Sequence, residues 1–64
     1  MMTRTKAESI LGYAIRADGS LDSSLDSSSP YIDWNRNTNQ VDLDGMFEAE
    51  QLEAIAWWMK NHGK

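Results

Sequence analysis

Apolar residues recur along this chain with two different periods, and each period selects a different element. Ile10, Leu11, Ala14 and Ile15 are spaced three and four apart, with Ala7 one turn earlier, which is the stripe of an amphipathic helix. Thr5 followed by Glu8 reads as a capping box at its start, and Gly19 as a stop after its end. The spacing predicts a helix over about 5–17. Leu52, Ile55, Ala56 and Met59 repeat that period near the other end. Glu48 and Glu50 fall at the positive end of the helix dipole, Lys60, His62 and Lys64 lie near its negative end, and Asn61 or Gly63 can close it. This predicts a second helix over about 47–62.

Between the helices the period drops to two. Ile32 and Trp34 alternate with Tyr31 and Asp33, and Val41 and Leu43 alternate with Gln40 and Asp42. Asparagines in the intervening NRNTN tolerate the left-handed backbone of tight turns. The pattern predicts a hairpin over about 31–43, with Trp34 opposite Val41 and Ile32 opposite Leu43 on its buried face. The segment 18–30, SLDSSLDSSSP for the most part, reads as a serine-rich loop, with Leu21 and Leu25 as anchors on the core and its serines as candidate phosphorylation sites. The expected fold is therefore α+β: one small domain over 1–64, a two-layer α-β-β-α arrangement with one hairpin packed against two helices. Both hairpin strands are expected to be open edges, so homodimerisation is an expected outcome.

Trp57 and Trp58 are neighbours on the second helix, so their side chains diverge by about 100°. With Leu52 at the centre of the apolar stripe, Trp58 falls on its margin and Trp57 among Glu50, Glu53 and Lys60. Trp57 is expected to face away from the core. An outward tryptophan amid carboxylates is the chemistry of a docking spot, because the indole gives a large contact area with few rotatable bonds. The alternative is that Met1 or Leu25 covers it. The candidate partner-binding residues are Trp57, Glu50, Glu53 and Asp42.

Charge narrows the class of partner. Residues 1–17 carry a net of +2, whereas residues 18–64 set Arg36, Lys60 and Lys64 against nine acidic residues, a net of −6. Phosphate contacts need clustered Lys and Arg, so direct nucleic-acid binding is not expected. A basic protein surface could be steered onto such a face. The absence of cysteine removes disulfides and thiolate metal sites. No apolar run approaches a membrane span, and the first residues lack the apolar centre and cleavage site of a signal peptide, so a cytoplasmic protein without membrane contact is expected.

Catalytic chemistry is not expected either. Reading QVDLDGMFEAEQ as a calcium loop with Gly45 at the sixth position leaves Gln40 and Gln51 where the leading and bidentate carboxylates belong. His62 is the sole histidine and has no second ligand or nucleophile to serve. Glu50 and Glu53 share a helix face, with nothing apolar around them to raise a carboxyl pKa. No cofactor or metal site is assigned, and the chain is read as a non-enzyme.

The segment NQVDLDGMFEAEQLEAIAWWM, residues 39–59, resembles a pattern in small uncharacterised proteins encoded by bacteriophages. There, a strand ending in Leu-Asp-Gly leads through an aromatic residue into an acidic helix with a tryptophan near its end. The matching positions are Val41, Leu43, Asp44, Gly45, Phe47, Glu50, Leu52 and Trp58; Glu48 stands where a Ser or Thr cap belongs. The resemblance implies an accessory or inhibitor protein that occludes a bacterial host protein in the host cytoplasm. An acidic nucleic-acid mimic and a self-assembling structural unit are the other expectations that the charge and the strand edges allow.

Overall fold

The computed structural model describes residues 2–23 and 30–61. The expectations placed on Leu25, on the serines between 24 and 29, on Met1 as a cover for Trp57, and on a helix end at His62 and Gly63 lie outside those residues. Helix α1 spans Arg4–Leu11, strand β1 Tyr31–Asn35, strand β2 Gln40–Asp44 and helix α2 Ala49–Asn61. This is the small α+β fold in the order α-β-β-α that the two periods predict.

Thr3, in extended conformation, caps α1 by accepting the Lys6 amide at 3.2 Å. Thr3 takes the role expected of Thr5, and Glu8 pairs with Arg4 one turn back, at 3.6 Å. The helix is shorter than its stripe suggests. After Leu11 the chain tightens into a turn, with the amides of Ala14 and Ile15 both donating to the Leu11 carbonyl. The stripe nevertheless points inward, with Ala7, Leu11 and Ala14 buried and Ile10 and Ile15 half-buried.

The next turn builds a strand edge where a loop was expected. Gly19, at φ 87°, lets the chain reverse so that the Gly19 amide donates to Arg16 and the Arg16 amide to Ser20. Asp18 accepts both the amide of Ser20, at 3.0 Å, and its hydroxyl, at 2.6 Å; these bonds hold the Asp18 carboxyl below its ordinary value. Leu21–Ser23 then runs antiparallel to β1: the Ser23 amide donates to Ile32 and the Trp34 amide to Leu21. Ser23 is buried, and its hydroxyl accepts the Ile32 amide at 2.7 Å while donating to the Pro30 carbonyl at 3.1 Å. The expectation that both hairpin strands are edges is thereby corrected, because β1 is flanked on both sides.

The hairpin has the expected register, Trp34 opposite Val41 and Ile32 opposite Leu43. Asn35 accepts the amides of Asn37 and Thr38, and Asn39 takes the left-handed conformation at φ 54°. The Trp34 indole donates to the Asn39 side chain at 3.1 Å.

Helix α2 starts without a Ser or Thr cap, and Gln51 supplies the reciprocal half of a capping box by accepting the Glu48 amide at 2.7 Å. Its buried face is Ala54, Ile55 and Trp58. This corrects the stripe read from the sequence: Ile55 is buried as expected, but Leu52 is 46% exposed, Ala56 is exposed and Met59 is half-buried, so α2 is rotated by about 100° from that reading. Trp58 sits at the centre of the buried face and not on its margin. An indole buries far more area than a leucine, and its N–H finds the Gly19 carbonyl at 2.8 Å. Small Ala7 and Ala14 leave room for it in the core, and the Arg4 guanidinium lies 5.8 Å from its ring centre.

Candidate protein-docking face

Strand alternation divides the hairpin into an inner face of Ile32, Trp34, Val41 and Leu43 and an outer face of Tyr31, Asp33, Asn35, Gln40, Asp42 and Asp44. Asp42 stands directly opposite Asp33, and Asp33 in turn opposite Asp22 on the flanking segment. Three aspartates therefore form a row across the sheet, with Asp44 beside it opposite Tyr31. Like charges directly opposite on a sheet repel. Among the described residues, no Lys or Arg pairs with Asp33, Asp42 or Asp44; the ion pairs are Arg4–Glu8, Lys6–Glu50 and Arg36–Asp18.

Tyr31 reports the field of this row. Its hydroxyl donates to Asp33 at 3.3 Å. Desolvation, then the charge of Asp33, with Asp22 and Asp42 adding to it, pushes the phenol above its ordinary value. An open groove of about 720 Å³ borders the row, lined by Asp33, Asn35, Gln40, Asp42, Val41 and, from α2, Met59. No group of His, Cys, Asp and Glu among the described residues is arranged to hold a metal ion. No described helix is long and apolar enough to cross a membrane.

The burial of the inner face is lopsided. Ile32 is fully buried and Trp34 is 4% exposed, but Val41 and Leu43 are only half-buried. The cause is position in the sheet. The segment Ala14–Arg16 bonds to Ser20–Asp22, Leu21–Ser23 bonds to β1, and β1 bonds to β2, so coverage runs out at β2. The hydrogen bonds also show which groups are left. The Ile32 carbonyl accepts the Ser23 amide, the Ile32 N–H donates to the Ser23 hydroxyl, and the Trp34 N–H donates to the Leu21 carbonyl. Alternation then turns Tyr31, Asp33 and Asn35 toward Asp44, Asp42 and Gln40. The peptide groups of Val41 and Leu43 point to the free side, and no described residue bonds to them.

The residues expected to form the site are distributed over two places. Glu50 reaches Lys6 on α1 at 3.9 Å, and Trp57 follows on the same flank of α2. The Trp57 ring is half-buried against the core, 5.9 Å from the Trp58 ring and tilted by 57°, so it does not project freely into solvent as expected. Glu53 is exposed. Asp42 belongs to the sheet face, in the groove with Met59, which lies on the opposite flank of α2 from Trp57. Asp33, Asp44 and Tyr31 were legible as outward positions of the same alternation. Asp22 was not, because its strand pairing lies in a segment with the composition of a loop.

No family model, no curated protein sequence and no solved structure matches this chain.

Proposed function

We propose that this protein is a non-catalytic binding module that docks a basic surface of another protein on its outer sheet face. The supporting observation is the row Asp22–Asp33–Asp42, with Asp44 beside it. A fold that sets like charges opposite one another does so against its own stability, and such departures concentrate where a chain serves something outside itself. The aspartates steer and orient the partner, while half-buried Val41, Leu43 and Met59, on the inner face, supply apolar contact where the partner reaches round the edge of β2. The resemblance of residues 39–59 to small phage proteins fits the same mode of action, occlusion of a host protein by a rigid acidic surface. Trp57, with part of its ring against its own core, and Glu50, engaged by Lys6, carry less of the contact.

The test is affinity capture from a bacterial lysate with wild type and an Asp33→Asn, Asp42→Asn, Asp44→Asn variant. A protein retained by wild type, released by salt and lost with the variant is the expected result. Equal retention by both proteins would overturn the assignment of the face. Displacement of the captured protein by duplex DNA would instead place this chain among nucleic-acid mimics.

A further inference from the structure

We infer that the free edge of β2 receives an extended segment of the partner as an added strand, in which Lys or Arg alternates with apolar residues. The inference rests on the protein-binding reading above and specifies how the partner engages. Three independent observations converge on the edge. The peptide groups of Val41 and Leu43 face outward with no described hydrogen-bond partner. The side chains of the same two residues are half-buried on the inner face, where Met59 is also half-exposed and where Leu52 and Ala56 continue its stripe along α2. On the outer face, Asp42 and Asp44 stand two apart on the strand, with no described cation beside them.

A strand laid on this edge meets all three at once. Its backbone takes the Val41 and Leu43 groups, as strand addition requires. Its side chains alternate, so every second one falls on the inner face against Val41, Leu43 and Met59, and the others fall beside Asp42 and Asp44. The first set must be apolar and the second basic. The same arithmetic disfavours a second copy of this chain. Antiparallel pairing of two β2 edges about Asp42 brings Asp42 against its own counterpart and Gln40 against Asp44; pairing about Leu43 brings Asp42 against Asp44. Pairing about Val41 avoids like charges but sets Leu43 against Asn39, which is in the left-handed turn conformation and not extended. Charged residues on a free edge are a known guard against self-association. Here the guard also selects the sign of an acceptable guest.

The experiment uses the full chain and two synthetic peptides long enough to span β2, one alternating lysine with valine and one alternating glutamate with valine. Binding is read by fluorescence anisotropy, and amide hydrogen exchange is read residue by residue. The lysine peptide is expected to bind and to slow exchange at Val41 and Leu43 at least about tenfold, while the Asp42 amide, already facing β1, is unchanged. An Asp42→Lys, Asp44→Lys variant should lose about tenfold in affinity for the lysine peptide, about 1.4 kcal/mol, and should gain for the glutamate peptide. The first of these changes sets a cation opposite Asp33 and so relieves repulsion within the sheet, which keeps the fold intact for the comparison.

Binding of the lysine peptide without protection of Val41 and Leu43 would overturn strand addition and leave the docking face standing. Slow exchange at both amides in dilute, peptide-free protein would overturn it by showing the edge already occupied within the chain. Protection that rises with protein concentration alone would name a second copy as the occupant and overturn the basic guest. Equal binding of both peptides would remove the charge argument and, with it, the inference.

Discussion

Replacing each of the two adjacent tryptophans by alanine separates the core from its margin within one helical turn. Trp58 has no exposed surface, donates its N–H to the Gly19 carbonyl at 2.8 Å and carries the Arg4 guanidinium over its ring. Truncation of a buried aromatic costs about 3–5 kcal/mol through lost transfer energy and the cavity left behind. The Gly19 carbonyl also loses its donor, which adds about 1 kcal/mol and loosens the turn that leads into Leu21–Ser23. A single core in a domain of this size rarely supplies more than about 3–5 kcal/mol. Trp58→Ala is therefore expected to be largely unfolded at 25 °C. Trp57 is half-buried at the margin of the core, so Trp57→Ala should cost about 1–2 kcal/mol and leave a cooperative transition. Trp58→Phe keeps most of the ring and loses the donor, and belongs between them at about 1–3 kcal/mol. The assay is urea denaturation followed by far-UV circular dichroism, which does not depend on the indole being removed. Equal losses for the two alanine variants, or a greater loss at Trp57, would refute the orientation of α2 and everything derived from its burial.

Other residues probe the same structure from different sides. Ser23→Ala strips the acceptor from the buried Ile32 amide and should cost about 1–3 kcal/mol, with faster exchange at Ile32; unchanged exchange there would contradict the Leu21–Ser23 pairing. Leu52→Gln should change stability by less than about 0.5 kcal/mol and Ile55→Ala should lower it by about 2–4, a contrast that chemical denaturation resolves and that vanishes if α2 is oriented by its sequence stripe, which would bury both residues. Asp33→Asn removes the central charge of the aspartate row and should raise stability by about 0.2–1 kcal/mol, more at low salt; a loss would show that the row is not repulsive. The same variant should bring the raised Tyr31 titration down toward the ordinary phenol value in a spectrophotometric titration. A raised phenol pKa means that its contribution is intact at lower pH and is lost as alkaline pH passes the folded-state value. Wild type should therefore lose more stability than Asp33→Asn as pH rises through the Tyr31 titration.

Some of this molecule was determined locally. The period of two in residues 31–34 and 40–43, with asparagines between, suffices for a hairpin in the observed register, since a one-residue slip would turn Ile32 and Trp34 to solvent. The stripe Ala7, Leu11 and Ala14 likewise chose its face unaided. Helix α2 did not, because it carries two apolar faces that share Ile55, Leu52–Ile55–Ala56–Met59 and Ala54–Ile55–Trp58, and periodicity cannot rank them. The ranking depends on a donor and acceptor 39 residues apart, the Trp58 indole and the Gly19 carbonyl. The docking face has the same history. Its outward aspartates follow from alternation along each strand, but their row across the sheet exists only because Leu21–Ser23, loop-like in composition, pairs with β1 and carries Asp22 into register. That pairing also decides which strand edge stays open. Local backbone preference and side-chain alternation are written in neighbouring residues. Choices among rival faces and edges are settled by hydrogen bonds and burial between segments far apart in the chain, and only the folded structure supplies those.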